Sequence, residues 1–210
     1  MPRTNVYIDG FNFYYGAVRS TPYKWLNFAE LCRLLLPPSH YAINQVKYFT
    51  ARVQARPTDP DQPVRQEIYL RALRTIPNLS IIFGHFLTND VSMPMAGQNP
   101  LTPAYVRVVK TEEKGSDVNL ASHLVNDAHN KDFDVGVVIS NDSDLVEPVR
   151  IVTQELGLHV GILNPHIRRS RELSQYATFY KKIRPGVLGA SQFPSALNDA
   201  TGAFHKPAVW

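Results

Sequence analysis

The chain has one cysteine, Cys32, in 210 residues, so no disulfide can form within it. Its setting, Glu30-Leu31-Cys32-Arg33-Leu34, reads as a buried helix position rather than a nucleophile's. No apolar run approaches the roughly 18 residues of a membrane span. Met1-Pro2-Arg3-Thr4 leads straight into a strand, with no charged-then-apolar leader before it. A reducing cytoplasm is the expected setting, and no membrane partner is expected. Charged residues are scarce at 19% against 44% hydrophobic, which excludes a disordered polyelectrolyte and suits a chain with a real core. The seven histidines include no His-x-x-x-His pair, so a helical zinc site is not expected. Gly-x-x-x-x-Gly-Lys, Gly-x-Gly-x-x-Gly and Gly-x-Ser-x-Gly are all missing, which disfavours a nucleotide-dependent kinase and an α/β hydrolase.

What is present alternates strand and helix. Strands are expected at 5–9, within 43–53, and at 79–87, 104–110, 135–140, 159–163 and 179–183. Helices are expected at 11–18, 28–36, from Pro63 to before Pro77, and at 116–130, 145–156 and 168–176. Ser116 is the expected cap of its helix and Gly157 the stop of the next. Residues 88–103, with three prolines and a glycine, read as an exposed loop, and 104–110 as a possible hairpin partner of 79–87. Val135-Gly136-Val137-Val138-Ile139-Ser140 is a continuous apolar run of the kind a parallel strand buried on both faces shows. The expected fold is three-layer α/β/α with a mostly parallel sheet over residues 1–185, followed by a Pro/Gly/Ser-containing tail at 186–210.

Ligands of open parallel sheets lie at the carboxyl ends of the strands. Asp9 ends the first expected strand, and Asp142 and Asp144 follow the strand at 135–140. Asp117 opens a helix after a Lys-Gly turn. Any one of these acids would serve equally as a helix cap. All four together exceed what caps require, and clustered carboxylates repel one another. A Mg²⁺ or Mn²⁺ ion removes that conflict and is itself a phosphodiester-cleaving cofactor. Asn12, Ser140, Asn141 and Lys114 are polar neighbours suited to orienting a ligand or contacting phosphate. Between Pro165 and Pro185, Arg168, Arg169, Arg171, Lys181, Lys182 and Arg184 are opposed only by Glu172, a surplus larger than the chain's net +4. Such a local excess suits a phosphate backbone, and equally a solvated helix and strand. Phe11, Phe13, Tyr14 and Tyr15 offer either stacking surface or core.

Three blocks carry a resemblance: Val6-Tyr7-Ile8-Asp9-Gly10-Phe11-Asn12-Phe13-Tyr14, Lys114-Gly115-Ser116-Asp117-Val118-Asn119-Leu120-Ala121, and Val137-Val138-Ile139-Ser140-Asn141-Asp142-Ser143-Asp144-Leu145. In this order they resemble the signature blocks of NYN domains, LabA-like members of the PIN-like nuclease superfamily. The resemblance implies a PIN-like fold, dependence on Mg²⁺ or Mn²⁺, and cleavage of RNA. It places Asp9, Asp117, Asp142 and Asp144 as metal-binding acids and Asn12 as their polar companion. The expected activity is endonucleolytic hydrolysis of single-stranded or looped RNA, with Lys114, Ser140, Asn141, Arg168, Arg169 and Arg171 as candidate substrate contacts. The alternatives are an RNA-binding regulatory module that cleaves weakly or not at all, and a metal-dependent DNA nuclease or phosphatase. Assembly as a homo-oligomer is also open.

Overall fold

A computed structural model describes residues 1–97 and 104–210. Six strands form one wholly parallel sheet: β1 (Arg3–Asp9), β2 (Ala42–Thr50), β3 (Leu79–Phe83), β6 (Val135–Ile139), β7 (His159–Asn164) and β8 (Phe179–Lys182). Their order is β3-β2-β1-β6-β7-β8. The chain therefore builds outward from β1 to one edge, then returns beside β1 and builds to the other. The reversal lies between β1 and β6, which pair from Thr4–Val135 to Ile8–Ile139. A crevice at the carboxyl ends of these two strands is where open α/β sheets hold ligands.

Period-two alternation sends side chains to opposite faces of the sheet, and each face carries its own core. Val6, Ile8, Val137 and Ile139 pack on one side with Phe28 and Leu31 of α2 (Phe28–Leu35) and Leu70 and Leu73 of α3 (Gln62–Leu73). Tyr7, Val138, Val160 and Ile162 pack on the other with Leu120 and Leu124 of α4 (Ser116–His129) and Val149 of α5 (Val146–Arg150). Every residue of β6 is buried, as its unbroken apolar run requires. Cys32 is buried in α2, and burial pushes its thiol up to about 12, so it stays an inert thiol.

The expected strand at 79–87 is in fact two strands that meet at Gly84. A side chain at Gly84 would collide with the carbonyl of Lys114. From Gly84 the chain leaves the sheet and enters β4 (His85–Pro94), which pairs antiparallel with β5 (Tyr105–Lys114). Residues 88–94 of the expected exposed loop at 88–103 are thus strand, and its residues 98–103 lie outside the described residues. Ser116 is not the cap of α4. Gly115 occupies that position with φ 94°, a left-handed conformation that suits glycine. The helix expected from 168 begins at Arg171 as α6 (Arg171–Tyr176), with Ser170 as its cap.

Beyond Pro185 the chain forms α7 (Pro185–Ala190) and a small hairpin, β9 (Ala196–Asp199) and β10 (Gly202–His205). Trp25 Nε1 donates to the Pro194 carbonyl at 2.8 Å, and the Trp25 ring packs against Phe193 and Trp210. Arg71 of α3 binds Asp199 through two nitrogens at 2.7 and 2.8 Å and covers the Phe204 ring. These contacts fasten the segment to the core on the α3 side.

Candidate active site

Asp9 ends β1 and caps α1 (Gly10–Phe13), because its Oδ1 accepts from the backbone of Asn12 at 2.9 Å. Its other oxygen, Oδ2, accepts from the Ser140 hydroxyl at 2.9 Å, just past the end of β6. That hydroxyl also accepts from the Asp142 backbone at 3.1 Å, and Asn12 Oδ1 accepts from the Asn141 backbone at 3.0 Å. The carboxyl ends of β1 and β6 are therefore sewn together by side chains from both. Asp142 Oδ1 accepts from the Asp144 backbone at 3.0 Å, turning the chain so that the two acids leave it in succession.

Asp117 stands in the first turn of α4. Burial, followed by the charges of Asp142, Glu113 and Asp144, raises its carboxyl to about 6. Asp9, 3% exposed, is raised to about 7 by burial first, with the charges of Asp117 and Asp142 adding to it. The hydrogen bonds from Asn12 and Ser140 pull the other way and are overcome. The four aspartates thus share one electrostatic neighbourhood at the β1–β6 reversal. Among the described residues none of them is ion-paired to a lysine or arginine.

A hard divalent cation fits this donor set, since it prefers carboxylate oxygens and needs their negative charge. Among the described residues no three acid, histidine or cysteine side chains are already gathered at ligating distance. Like charges without a counter-ion turn apart, so the carboxylates would converge only around a cation.

Glu113 escaped the reading of the sequence. It adds negative charge near Asp117, and its carboxylate accepts from the Ser116 backbone at 3.1 Å and the Ser116 hydroxyl at 2.7 Å. Its placement beside the Lys-Gly turn was the available signal. The candidate substrate contacts divide. Asn141 spends its side chain inside the protein: Nδ2 donates to the Arg168 carbonyl at 3.2 Å, and Oδ1 accepts from the Ser170 backbone at 2.9 Å and the Tyr180 hydroxyl at 3.2 Å. Ser140 is fully buried. Both act as clamps. Asn141 in turn tethers the exposed Arg168–Arg169 segment to the acidic turn. Arg169 lies 4.5 Å over the Tyr180 ring and donates to Ser174, and Arg171 is exposed at the start of α6. Lys114 is exposed and pairs loosely with Glu112 at 3.4 Å. Lys181 donates to the Leu35 carbonyl on the opposite side of the sheet's edge and does not join this group.

A parallel α/β sheet with clustered acids at its strand reversal is the architecture of the nuclease-like PIN superfamily. Residues 3–183 match the NYN domain, and the chain belongs to the NYN family, whose domains act on nucleic acids. It is 30% identical over 235 aligned positions to the 6-hydroxy-3-succinoylpyridine 3-monooxygenase HspA of Pseudomonas putida, covering 99% of this chain and 75% of that one. Its fold is similar to the crystal structure of a protein of unknown function from Vibrio parahaemolyticus, with a TM-score of 0.56, 16% identity, and 88% and 94% of the two chains covered. No helix of the described residues is long and apolar enough to cross a membrane.

Proposed function

We propose that the chain is a metal-dependent endoribonuclease working through Asp9, Asp117, Asp142 and Asp144. One observation carries this reading: four carboxylates share one electrostatic neighbourhood at the β1–β6 reversal, two of them with raised affinity for protons, and among the described residues no lysine or arginine is ion-paired to them. A cluster that binds protons so readily is one that a divalent cation stabilises. Bound there, Mg²⁺ or Mn²⁺ would polarise the phosphodiester and acidify a water. Asp9 is the fixed member, held at both oxygens. Asp142 is half-buried and Asp144 exposed. Asn12, Ser140 and Asn141 position the acids, and Arg168, Arg169, Arg171 and Lys114 draw in the phosphate backbone. Single-stranded or looped RNA is the favoured substrate, because its bases and backbone are free to bend into a crevice.

The test is incubation of end-labelled RNA and DNA with the protein in Mg²⁺, Mn²⁺ or EDTA. Metal-dependent cuts in RNA are expected. Cleavage of DNA alone would remove the ribonuclease assignment. A second reading is prompted by the name of the Pseudomonas relative: the chain acts on a small heterocyclic compound. It predicts no metal-dependent cleavage of either polymer.

The raised carboxyls make a prediction about stability. A carboxyl whose folded pKa exceeds its unfolded value near 3.8 favours the fold fully below that value. Its contribution is lost as pH rises through about 6 for Asp117 and about 7 for Asp9. In EDTA, the melting temperature should therefore receive a downward contribution from this site between about pH 4 and pH 7 that is smaller in Asp9→Asn, where only that of Asp117 remains. Mg²⁺ should restore stability most strongly above pH 7, by about 2.7 kcal/mol at a hundred times its dissociation constant. A calorimetric scan with equal Mg²⁺ effects at pH 5 and pH 7.5 would contradict this.

A further inference from the structure

Next to the acidic centre lies a cavity of about 660 Å³, within the range of roughly 300–1,000 Å³ typical of small-molecule sites. Gly10, directly after Asp9, forms part of its lining, as does Glu113, whose charge is felt at Asp117. Tyr48, also in the lining, feels the charge of Asp9. The cavity and the acids therefore share a wall. The remaining wall is unusually rich in rings: Phe11, Tyr14, Tyr15 and Phe86. Phe11 and Phe86 meet edge to face at 5.8 Å, and Tyr14 and Tyr15 do so at 5.3 Å. Tyr15 is 52% exposed, an aromatic ring left partly open to water.

The charges in the lining are arranged asymmetrically. Asp59 is bound by Arg65 at 2.5 Å, and Glu113 is bound by Ser116. Lys24 and Arg56 also line the cavity, and neither is ion-paired among the described residues. Rings with two uncommitted cations beside them match a flat π-system joined to an anion.

We propose that this cavity binds one planar aromatic ring carrying an anionic group, with the ring against Tyr14 and Tyr15 and the anion toward Lys24 and Arg56. Two sources share that chemistry: an unstacked nucleotide of an RNA whose next phosphate lies at the aspartates, and a free heterocyclic acid. The first source rests on the nuclease reading, and the second does not.

Isothermal titration in EDTA with AMP, UMP and pyridine-3-carboxylate tests the proposal without requiring catalysis. At least one probe should bind saturably, and Tyr15→Ala should weaken it about tenfold. Lys24→Gln and Arg56→Gln should weaken it and flatten its salt dependence. Binding of the mononucleotides alone assigns the polymer source, and binding of pyridine-3-carboxylate alone assigns the free acid. If no probe binds below about 10 mM, or if all three variants bind as the wild type does, the proposal is overturned. RNA cleavage measured on the same preparations separates the two ideas. Cleavage without probe binding removes the cavity's role and leaves the nuclease reading. Probe binding without cleavage does the reverse.

Discussion

Asp142→Asn should reduce RNA cleavage by about a hundredfold or more, as expected when a member of a metal site loses its charge, while the fold is unchanged. Asparagine is the informative replacement. Its side-chain oxygen can still accept from the Asp144 backbone, the bond that shapes the turn. What disappears is one negative charge from a cluster that already crowds Asp9 and Asp117. The metal-free variant should consequently melt at the same temperature as the wild type or higher, and the raised carboxyls of Asp9 and Asp117 should fall toward ordinary values. Cleavage by the variant at the wild-type rate would refute the assigned centre. A large loss of stability in EDTA would mean that Asp142 serves chiefly as a cap. Asp9→Asn is a poorer probe, since both Asp9 oxygens are engaged in joining β1 to β6.

The second large effect lies farther along α4, the helix that carries Asp117. Asp127 of α4 is 4% exposed, and its Oδ2 receives both the Tyr7 hydroxyl at 2.6 Å and the Lys47 ammonium at 2.5 Å. Lys47 is itself largely buried and has His123 as its other polar neighbour, at 3.4 Å. Asp127→Ala leaves that ammonium without a counter-charge and the Tyr7 hydroxyl without its acceptor. The expected cost is about 3–5 kcal/mol, the range for breaking a buried ion pair from one side. Removing both charges with Lys47→Met and Asp127→Leu should recover most of the loss, because the penalty comes from the stranded partner. Urea denaturation of the wild type and these two variants measures this, and a loss below about 1 kcal/mol for Asp127→Ala would show the pair to be solvent-screened.

The sheet was readable because its strands announce themselves. Val135 to Ile139 has no polar residue, and only a strand covered on both faces tolerates that. The hairpin of β4 and β5 was read only in part: its second strand was expected at 104–110, but 88–94 was read as loop. Residues 88–94 are largely exposed and stand in a stretch whose prolines and glycine speak for a loop. The break at Gly84 was equally invisible, since what demands glycine there is the approach of Lys114. At the site, the positions of the acids followed from strand ends and the resemblance. The use of Asn141 did not, because its three side-chain partners come from 168, 170 and 180. Glu113 was passed over because sequence spacing alone cannot show which side of a turn a carboxylate takes. The segment after Pro185 has a tail's composition, yet Trp25 and Arg71 give it fixed partners.

The place of β1 in the sheet also governs how the protein is made. It precedes the other strands of its sheet in the chain, yet one of its two neighbours is β6, with Thr4 opposite Val135. Until the stretch from α4 to β6 is translated, β1 has one open hydrogen-bonding edge, and Tyr7, fully buried in the finished protein, lacks its covering helix. Pairings so distant in the chain form slowly and leave strand edges exposed to aggregation in the interval. The acidic centre, which sits across this same junction, therefore cannot form until residues as far as Asp144 have joined β1.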